Sequence, residues 1–488
     1  MNSGNNADIE KLETDVVIVG GGGTGLAAAV AAKEAGVDVI VLERRRSTGG
    51  NTALAGGILA SESSYQRRMR IDARRDMCLK EAVTYAHNRI NPRIFRAFLN
   101  KSADTIRWLE GMNLKIDGLP PYYPGQTLIT WHCPRAGARS ITNVLTKRCK
   151  ALGIPLIVQT RATKLLLDNQ GKVNGVVAKR KRQPLQVIAK SVIIGSGGFA
   201  GNKKLLKKFS PRYMDNIYRI GLPHQGDGIL MALEIGADTD GLGTLHMTGP
   251  GFPNSRILSG LTLEPVTVWV NHKGVRFSDE GTGVKSFEAV NAQMRQHGMQ
   301  SFTLLDTAIK QFLVDNGFTK GMGSLRKAQK VKPRDWLKAL EVEAEKGTVK
   351  ISDSWDEIAR WMGVNPRVLK ATIKEYNQVC DDGYDPVFGK DRIFLKPLRT
   401  PPYYALRSAP GMLSTMGGLK INERMEVIDK NDNPIAGLFA GGSDTGGWEP
   451  DTYNINLAGT TCGFAINSGR IAGENAAQYV LSAKKRPR

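Results

Sequence analysis

The hydrophobic positions near the start of the chain form two short runs, separated by a glycine-rich turn and a helix-forming segment. Residues 15–19 include four consecutive branched side chains, which is typical of a strand buried on both faces of a parallel sheet. Residues 26–35 are rich in alanine and are followed by Gly36, a pattern that predicts a helix. Residues 37–43 repeat the strand pattern. The order strand, helix, strand predicts a βαβ unit with a right-handed crossover.

Similar patterns return on both sides of a long mixed region. Residues 173–178 and 187–194 predict strands, and residues 460–480 predict a closing helix. Residues 239–411 combine helices and loops, and glycine-rich, sheet-like sequence resumes at residues 412–446. The helices predicted in the mixed region span residues 285–296, Trp355–Met362 and residues 366–380. We therefore expect an α/β fold in which one nucleotide-binding domain is assembled from both chain ends, with a second domain inserted into it.

The glycine-rich turn carries the pattern G-x-G-x-x-G at Gly20, Gly22 and Gly25, directly after a predicted strand and before a predicted helix. The first glycine permits a tight turn, the second lets the backbone approach a pyrophosphate, and the third allows close helix packing. Glu43 closes the second strand, 43 minus 25, or 18, residues after the last glycine. A carboxylate there can accept both hydroxyls of a ribose. This order predicts dinucleotide binding; the alternative is a glycine-rich turn in an unrelated α/β fold.

The charge balance is strongly basic. The 488 residues include 68 Lys and Arg against 46 Asp and Glu, which gives a formal net charge of +22. Such a charge attracts nucleic acid, anionic lipid, acidic proteins or anionic small molecules. The basic residues are scattered, however, with short runs at residues 44–46, 67–70, 179–182, 203–208 and 484–486. We interpret them mainly as solvated surface and expect no nucleic-acid partner.

The cysteines and the apolar segments exclude further classes of protein. Five cysteines, without a C-x-x-C pair, argue against a disulfide framework, a zinc or other metal site, an iron–sulfur cluster and covalent haem. The apolar run at residues 16–19 is too short to cross a membrane or to form the core of a signal peptide. We expect no transmembrane segment and a cytoplasmic location, or a periplasmic one if an export signal has been removed.

A second glycine-rich loop, at residues 49–57, distinguishes FAD from NAD. An NAD-binding domain does not need this loop just after the ribose acid, whereas a bulky isoalloxazine lying against backbone does. Here the chain resembles the flavoprotein family of fumarate reductases and succinate dehydrogenases, which includes soluble flavocytochrome reductases, urocanate reductase and 3-ketosteroid dehydrogenases. The resemblance is also carried by residues 195–199, 226–228, 270–280, 376–377, 388–390, 415–418, 437–442 and 469–473.

The resemblance implies a fold, a cofactor and a reaction. It implies a Rossmann-type FAD-binding domain formed by residues 1–240 and 413–488, with an inserted α+β capping domain at residues 241–412. It also implies hydride transfer between flavin N5 and a carbon of an activated C=C bond. Succinate dehydrogenases attach FAD covalently through a histidine at the position of Asn51, so the resemblance implies non-covalent FAD here. The implied cofactor residues are Gly20, Gly22, Thr24, Gly25, Glu43, Asn51, Thr52, Gly56, Gly57, Ala162, Asp227, Ser443, Thr461 and Cys462, of which Ser443 replaces the acidic residue usual in the family.

The substrate machinery of fumarate reductases is mostly absent from this sequence. His246 matches the first substrate histidine, and Arg276 matches one arginine of the proton relay. The remaining positions of that machinery are occupied by Lys273, Val284, Ser414 and Asn456. In fumarate reductases one arginine binds a substrate carboxylate and another acts as the acid. Without these two arginines, the two carboxylates of fumarate would be poorly paired in a closed site. We therefore expect a substrate other than fumarate.

Tyrosines are the alternative candidates for proton transfer, as in ketosteroid dehydrogenases. Tyr453 is the first candidate, because a neutral phenol can donate one directed hydrogen bond or a proton; otherwise it is a packed aromatic residue. Tyr123, with Tyr122, either lines the same pocket or packs a turn. His246 either contacts substrate or makes a structural hydrogen bond. Arg276 is either a relay residue or an ion-pair partner of a neighbouring acid, Asp279 or Glu280.

Two functions follow. The first is an FAD-dependent oxidoreductase that reduces or introduces a C=C bond next to a carbonyl, in an enone, a ketosteroid or an unsaturated acid. An external electron donor or acceptor would complete its cycle. The second is a flavoprotein subunit that passes electrons within an assembly and docks to an acidic redox protein through its basic surface.

Overall fold

The first strand, Glu10–Val19, lies in the interior of a mostly parallel sheet, with a parallel neighbour on each side. Its last four residues are buried. In the computed structural model, which describes residues 9–181, 183–211, 213–318 and 332–485, it pairs in parallel with Val39–Leu42 and with Gln183–Ile194. Leu156–Ile157 extends the sheet beyond Val39–Leu42, and Pro434–Ala440 extends it beyond Gln183–Ile194. Strands from the start and the end of the chain therefore share one sheet, as the sequence predicts.

Other strands complete this sheet and form two small ones. The remaining strands of the large sheet are Thr160–Leu167, Val173–Arg180 and Glu426–Ile428. The small sheets contain Thr239–Asp240 with Gly418–Leu419, and Ile58–Leu59 and Ile116–Gly118 with Trp131–Pro134. Two of the basic runs noted above are only partly described. Arg182 and residues 486–488 lie outside the described residues.

A second sheet is organised around one long strand, Tyr403–Thr415. Its other strands are Tyr218–Arg219, Leu245–Gly251, Val268–Val270, Ser301–Asp306 and Val349–Ser352. A separate hydrophobic core, formed by buried residues between Phe252 and Leu406, packs around this sheet. The long strand runs across position 412, where the sequence predicts a domain boundary, and the predicted boundaries remain predictions.

The predicted helices are present, the helix Trp355–Met362 at its predicted bounds and the others with shifted ends. The helix predicted at residues 26–35 spans Gly23–Glu34, and the closing helix extends to Lys485. The helix predicted at residues 285–296 is shortened to Ser286–Met294, because Glu280–Lys285 forms a 3-10 turn before it. The other α-helices are Ser64–Arg68, Arg75–Tyr85, Pro92–Gly111, Arg139–Ala151, Lys203–Phe209, Asp227–Glu234, Leu258–Leu261, Thr307–Asn316, Pro333–Glu345, Trp355–Met362 and Pro366–Asp382. Shorter 3-10 turns lie at Asn51–Leu54, His297–Met299, Arg392–Phe394, Gly442–Asp444 and Ile455–Leu457.

None of the helices in the described ranges is long and apolar enough to cross a bilayer. The cellular location of the chain stays a prediction.

The first helix and the closing helix contact each other through backbone. A Cβ at Gly469 would overlap the carbonyl oxygen of Thr24, and a Cβ at Gly473 would overlap that of Ala28. Side chains larger than hydrogen would force the helices apart. This contact holds the two ends of the chain in one domain.

The glycine-rich turn before the first helix has two different kinds of glycine. A Cβ at Gly25 would overlap the carbonyl oxygen of Gly20, which itself has a φ of 111°. By contrast, a Cβ at Gly22 would find its nearest atom, Cα of Gly50, 3.7 Å away. Gly25 is thus required by the protein's own packing, whereas the protein itself leaves room for a methyl group at Gly22.

This difference predicts opposite effects for two alanine variants. Gly25→Ala should destabilise the apoprotein by about 1–3 kcal/mol, because the new methyl group meets fixed backbone. Gly22→Ala should change apoprotein stability by less than about 0.5 kcal/mol. It should nevertheless weaken binding of the expected FAD by roughly tenfold or more, about 1.4 kcal/mol. Thermal unfolding and flavin fluorescence titration measure the two effects, and equal loss of stability in both variants would contradict this assignment.

Candidate active site

A deep cavity opens where the glycine-rich turn meets the carboxyl ends of the parallel strands. This is the edge at which open α/β sheets bind ligands. Nine of the predicted cofactor residues line the cavity: Gly20, Gly22, Thr24, Glu43, Asn51, Thr52, Ala162, Asp227 and Ser443. The amino terminus of helix Gly23–Glu34 adjoins the same space, so its unpaired backbone amides favour a phosphate there. The residues present fit a dinucleotide.

The carboxylate of Glu43 is held by backbone at the cavity wall. The Gly21 amide donates to its Oε2 atom at 2.7 Å, and the Arg45 amide donates to its Oε1 atom at 2.7 Å. Each oxygen keeps a second lone pair for another donor. Glu43 therefore has the fixed orientation that ribose recognition requires.

Asn51, at the position of the family's covalent histidine, joins three distant segments. Its Nδ2 atom donates to the carbonyl of Leu413 at 3.1 Å, and its Oδ1 atom accepts from the amide of Leu222 at 2.7 Å. Both ends of the side-chain amide are used by the protein, and the side chain carries no nucleophilic atom.

The other predicted cofactor residues lie outside this cavity. Gly25 packs beneath the turn, and Gly57 packs against Trp131 next to the exposed Gly56. Thr461 and Cys462 lie in the first turn of the closing helix, where burial raises the pKa of the Cys462 thiol to about 12. The cavity wall also contains residues that the sequence interpretation missed, including Arg44, Arg45, Arg161, His224 and Gln225. Arg44 belongs to a basic run that looks like ordinary surface in the sequence.

Asp444, next to Ser443, is a buried acid that the sequence interpretation did not single out. Ser443 lines the cavity. The neighbouring Asp444 is buried and its side chain points toward the glycine turn at residues 195–198. Its carboxylate accepts from Ser196 Oγ at 2.8 Å, Gly197 N at 2.7 Å and Gly198 N at 3.0 Å. The acid next to Ser443 therefore fixes the turn at the end of strand Gln183–Ile194.

His246, Phe287 and Tyr453 form a compact aromatic stack, in which Tyr453 belongs to the core of the first domain and Phe287 packs against it. The rings of His246 and Tyr453 lie 4.5 Å apart and nearly parallel, and Phe287 contacts both at 5.1 and 4.7 Å. Burial lowers the pKa of His246 to about 3, so its imidazole is neutral at physiological pH. In the described part of the chain, no lysine or arginine contacts any of these three rings. The stack therefore carries no charge.

The polar atoms of this stack differ in their hydrogen-bond partners. Nδ1 of His246 lies 3.4 Å from Ser414 Oγ and 3.5 Å from Thr461 Oγ1, whereas its buried Nε2 has no hydrogen-bond partner in the described residues. The phenol oxygen of Tyr453 accepts from the amides of Gly459 at 2.8 Å and Thr460 at 3.1 Å. Its hydroxyl proton stays available for donation.

Tyr123 lies at the edge of this region. Its hydroxyl donates to Asn456 Oδ1 at 2.5 Å, and the ammonium group of Lys285 lies 4.6 Å from its ring centroid. Burial, together with the charges of Glu288 and Glu81, raises the pKa of Tyr123 to about 12. Tyr122 is buried against Trp131 and Phe287. The paired tyrosines thus connect the stack to the surface.

Arg276 lies inside the second core and makes buried ion pairs. It donates to Glu280 Oε2 at 2.8 Å and to Asp385 Oδ2 at 2.9 Å, and Lys390 Nζ lies 3.2 Å from the same Glu280 oxygen. These carboxylates hold the pKa of Arg276 above its usual value. Among the described residues, Arg276 has no contact with His246 or Tyr453. This placement favours the ion-pair interpretation, with Glu280 and Asp385 as the direct partners. Sequence spacing does not indicate Asp385, and Asp279 interacts with Arg276 only through its charge.

The histidine, acid and cysteine side chains in the described ranges include no group of three or more that could hold a metal ion.

Comparison with known proteins supports this reading of the cavity. A family model described as an FAD binding domain matches residues 15–453. Vinyl phenol reductase of Lactiplantibacillus plantarum is 31% identical over 480 residues, which cover 95% of this chain and 96% of that protein. The probable fumarate reductase Ifc3 of Shewanella frigidimarina is 31% identical over 474 residues, covering 96% of this chain and 75% of that protein.

Solved structures agree with the fold. The open conformation of a flavocytochrome c3 fumarate reductase matches with a TM-score of 0.77 and 29% identity, covering 96% of this chain and 79% of that one. A 3-ketosteroid Δ1-dehydrogenase from Sterolibacterium denitrificans has the same fold, with a TM-score of 0.78 at 20% identity, covering 96% and 99%. The resemblance to this flavoprotein family is confirmed. The chain belongs to the FAD binding domain family and is an FAD-dependent oxidoreductase.

Proposed function

We propose that this protein reduces a C=C bond conjugated to an aromatic ring or a carbonyl, in a substrate that lacks two carboxylates. The observation that carries the proposal is the uncharged aromatic stack of His246, Phe287 and Tyr453. A buried neutral histidine cannot form an ion pair with a dicarboxylate. The two carboxylates would therefore lose their hydration without gaining a charged partner. The identity to a vinyl phenol reductase supports an aromatic alkene as the substrate class.

The roles of the side chains follow from their free atoms. FAD, when bound, supplies hydride chemistry at its N5 atom. With the Ser414 and Thr461 hydroxyls as donors to Nδ1, His246 carries its proton on Nε2 and can hold a substrate oxygen. Tyr453 gives a proton to the carbon that does not receive hydride. The amides of Gly459 and Thr460 then stabilise the phenolate that remains.

We infer that FAD is bound non-covalently, since Asn51 replaces the histidine that carries the covalent bond in succinate dehydrogenases. Acid precipitation of the yellow holoprotein should release FAD into the supernatant. Flavin that stays in the protein pellet would contradict the inference.

The electron donor is proposed to be a separate molecule. The net charge of +22 favours an acidic redox protein, whose approach would be accelerated at low salt. The alternative to an independent enzyme is a subunit that passes electrons within an assembly. The two hypotheses are distinguished by which electron donor supports turnover.

An anaerobic flavin screen tests the proposed reaction. Protein reduced by a small viologen should be reoxidised by 4-vinylphenol, cinnamate or a ketosteroid enone, and much more slowly by fumarate. Failure of every alkene and enone to reoxidise the flavin would sink the proposal. Turnover that occurs only with an acidic flavodoxin or cytochrome, and falls steeply with salt, would favour the electron-passing alternative.

Tyr453→Phe tests the proton donor. We expect kcat to fall by roughly 10²- to 10⁴-fold, because a positioned acid is lost. Two buried amides also lose their acceptor, which should cost about 1–3 kcal/mol of stability. Tyr85→Phe is the matched control, since the Tyr85 hydroxyl lies 3.4 Å from the backbone carbonyl of Tyr453 and transfers no proton to substrate. Rates are compared well below each unfolding midpoint, and a Tyr453→Phe kcat within a few-fold of wild type would move the acid role to His246 or Tyr123.

A further inference from the structure

A row of cations lies on the exposed side of helix Arg139–Ala151. The exposed positions are spaced by four, four and three residues, so they share one face of the helix: Arg139, Asn143, Lys147 and Lys150. The opposite face is buried in the core of the first domain. Arg148, which lies off this row, pairs with Glu34 at 2.8 Å. The three cations of the row have no acidic partner among the described residues, so their charges are not compensated.

The chain around this row contains no acidic residue. Residues 44–57 and 133–161 include nine lysines and arginines and no aspartate or glutamate. The dipole of helix Arg139–Ala151 favours the cation at Lys150 in its last turn and disfavours the one at Arg139 in its first turn. Local helix stability therefore does not account for the whole row.

The helix lies directly against the loop at residues 49–57. The Ala138 amide, just before the helix, donates to the carbonyl of Ala55 at 3.2 Å. Further along the helix, the hydroxyls of Thr146 and Thr48 lie 3.1 Å apart. The part of the loop between these two contacts lines the dinucleotide cavity. One loop and the width of one helix therefore separate the row of cations from the cavity.

The solvent side of the loop adds to this surface. Leu54 is 44% exposed, and Gly56 is exposed two residues after it. Arg46 lies two residues before Thr48, is exposed, and has no acidic partner in the described chain. We call Arg46, Arg139, Lys147 and Lys150 the basic face. It combines four unpaired cations with an apolar side chain, Leu54, on the adjoining loop.

We propose that the basic face is the docking surface for an acidic redox protein that supplies electrons to FAD. This rests on the separate electron donor proposed above. Unpaired cations in acid-free surroundings attract a surface rich in aspartate and glutamate and accelerate its approach. Leu54 offers that partner an apolar contact next to the cavity loop. An anionic membrane is disfavoured, because Leu54 is the one large apolar side chain exposed in the described residues 44–57 and 133–161.

The electron transfer balances with one-electron carriers. Two reduced partner molecules dock in turn, and each gives up one electron and departs oxidised. Two electrons from the partners and one proton from water thus reach FAD, which is the hydride equivalent that the proposed reaction delivers to substrate. No covalent bond forms between the two proteins.

Charge reversal of the basic face tests the proposal. In Arg139→Glu/Lys147→Glu, the rate constant for reduction of the oxidised holoprotein by a reduced acidic ferredoxin should fall by about tenfold or more at an ionic strength of about 0.01 M. The difference should shrink at about 0.15 M, because the Debye length falls from about 30 Å to about 8 Å. Arg139→Gln, which removes one charge, should show a smaller loss. Anaerobic stopped-flow absorbance follows the bleaching of the flavin.

The matched control reverses two cations outside the basic face. Arg367 and Lys374 are exposed on helix Pro366–Asp382, and Arg367 also lies in the first turn of its helix. Arg367→Glu/Lys374→Glu changes the net charge by the same amount but leaves the basic face intact, so its rate should stay within about threefold of wild type. An equal loss in both double variants would show that only the overall charge matters and would overturn the proposal. So would a wild-type protein that neither acidic ferredoxin nor acidic flavodoxin reduces at low salt.

Two further readouts separate the proposal from its alternatives. Reoxidation of the reduced flavin by 4-vinylphenol involves no donor, so its rate should be the same in wild type and in both double variants. Absence of this reaction in wild type refutes the proposed function, whereas the reduction by ferredoxin still tests the docking surface. Cosedimentation with phosphatidylserine vesicles that is lost in Arg139→Glu/Lys147→Glu, while its reduction by ferredoxin is unchanged, assigns the basic face to a membrane and overturns the proposal.

Discussion

The backbone contact between the first helix and the closing helix is the constraint on which the site depends. Gly469 and Gly473 let the closing helix lie directly on the carbonyls of Thr24 and Ala28. The helices belong to opposite ends of the chain, yet both begin at the site. The first begins at the glycine turn that faces the cavity, and the second begins at the threonines that adjoin His246. Any widening of this contact would move Thr461, which adjoins His246, relative to the glycine turn at the cavity.

The start of the closing helix also shows how a buried tyrosine could serve as the proposed acid. The amides of Gly459 and Thr460 at its start need an acceptor, and the phenol oxygen of Tyr453 supplies it. The same two amides favour negative charge on that oxygen when its proton leaves. In the proposed mechanism, the atoms that cap the helix would therefore also stabilise the phenolate of Tyr453.

Local patterns carried most of the fold prediction. The glycine turn, its flanking strands and the helix Trp355–Met362 are set by short-range preferences, so their positions follow from the sequence. The partners of Arg276 do not, because Asp385 is 109 residues away and only the folded second core brings the two together. Glu449 gave no signal either, since what sets this residue apart is its burial, with one carboxyl oxygen that lacks a hydrogen-bond partner among the described residues. The Asn91-Pro92 start of the 20-residue helix Pro92–Gly111, an N-cap followed by proline at the first turn, was a signal that sequence reasoning could have used.

Asn51 has a consequence for communication within the molecule. Its side chain ties the FAD-side loop to the carbonyl of Leu413, on the strand Tyr403–Thr415 that forms the centre of the second sheet. A shift of that strand must stretch or break this hydrogen bond and so disturb the cofactor loop. Cofactor affinity and the position of the second sheet are therefore energetically coupled, and by linkage the coupling is reciprocal. Asn51, at the position of the family's covalent histidine, thus links the loop at residues 49–57 mechanically to the second sheet.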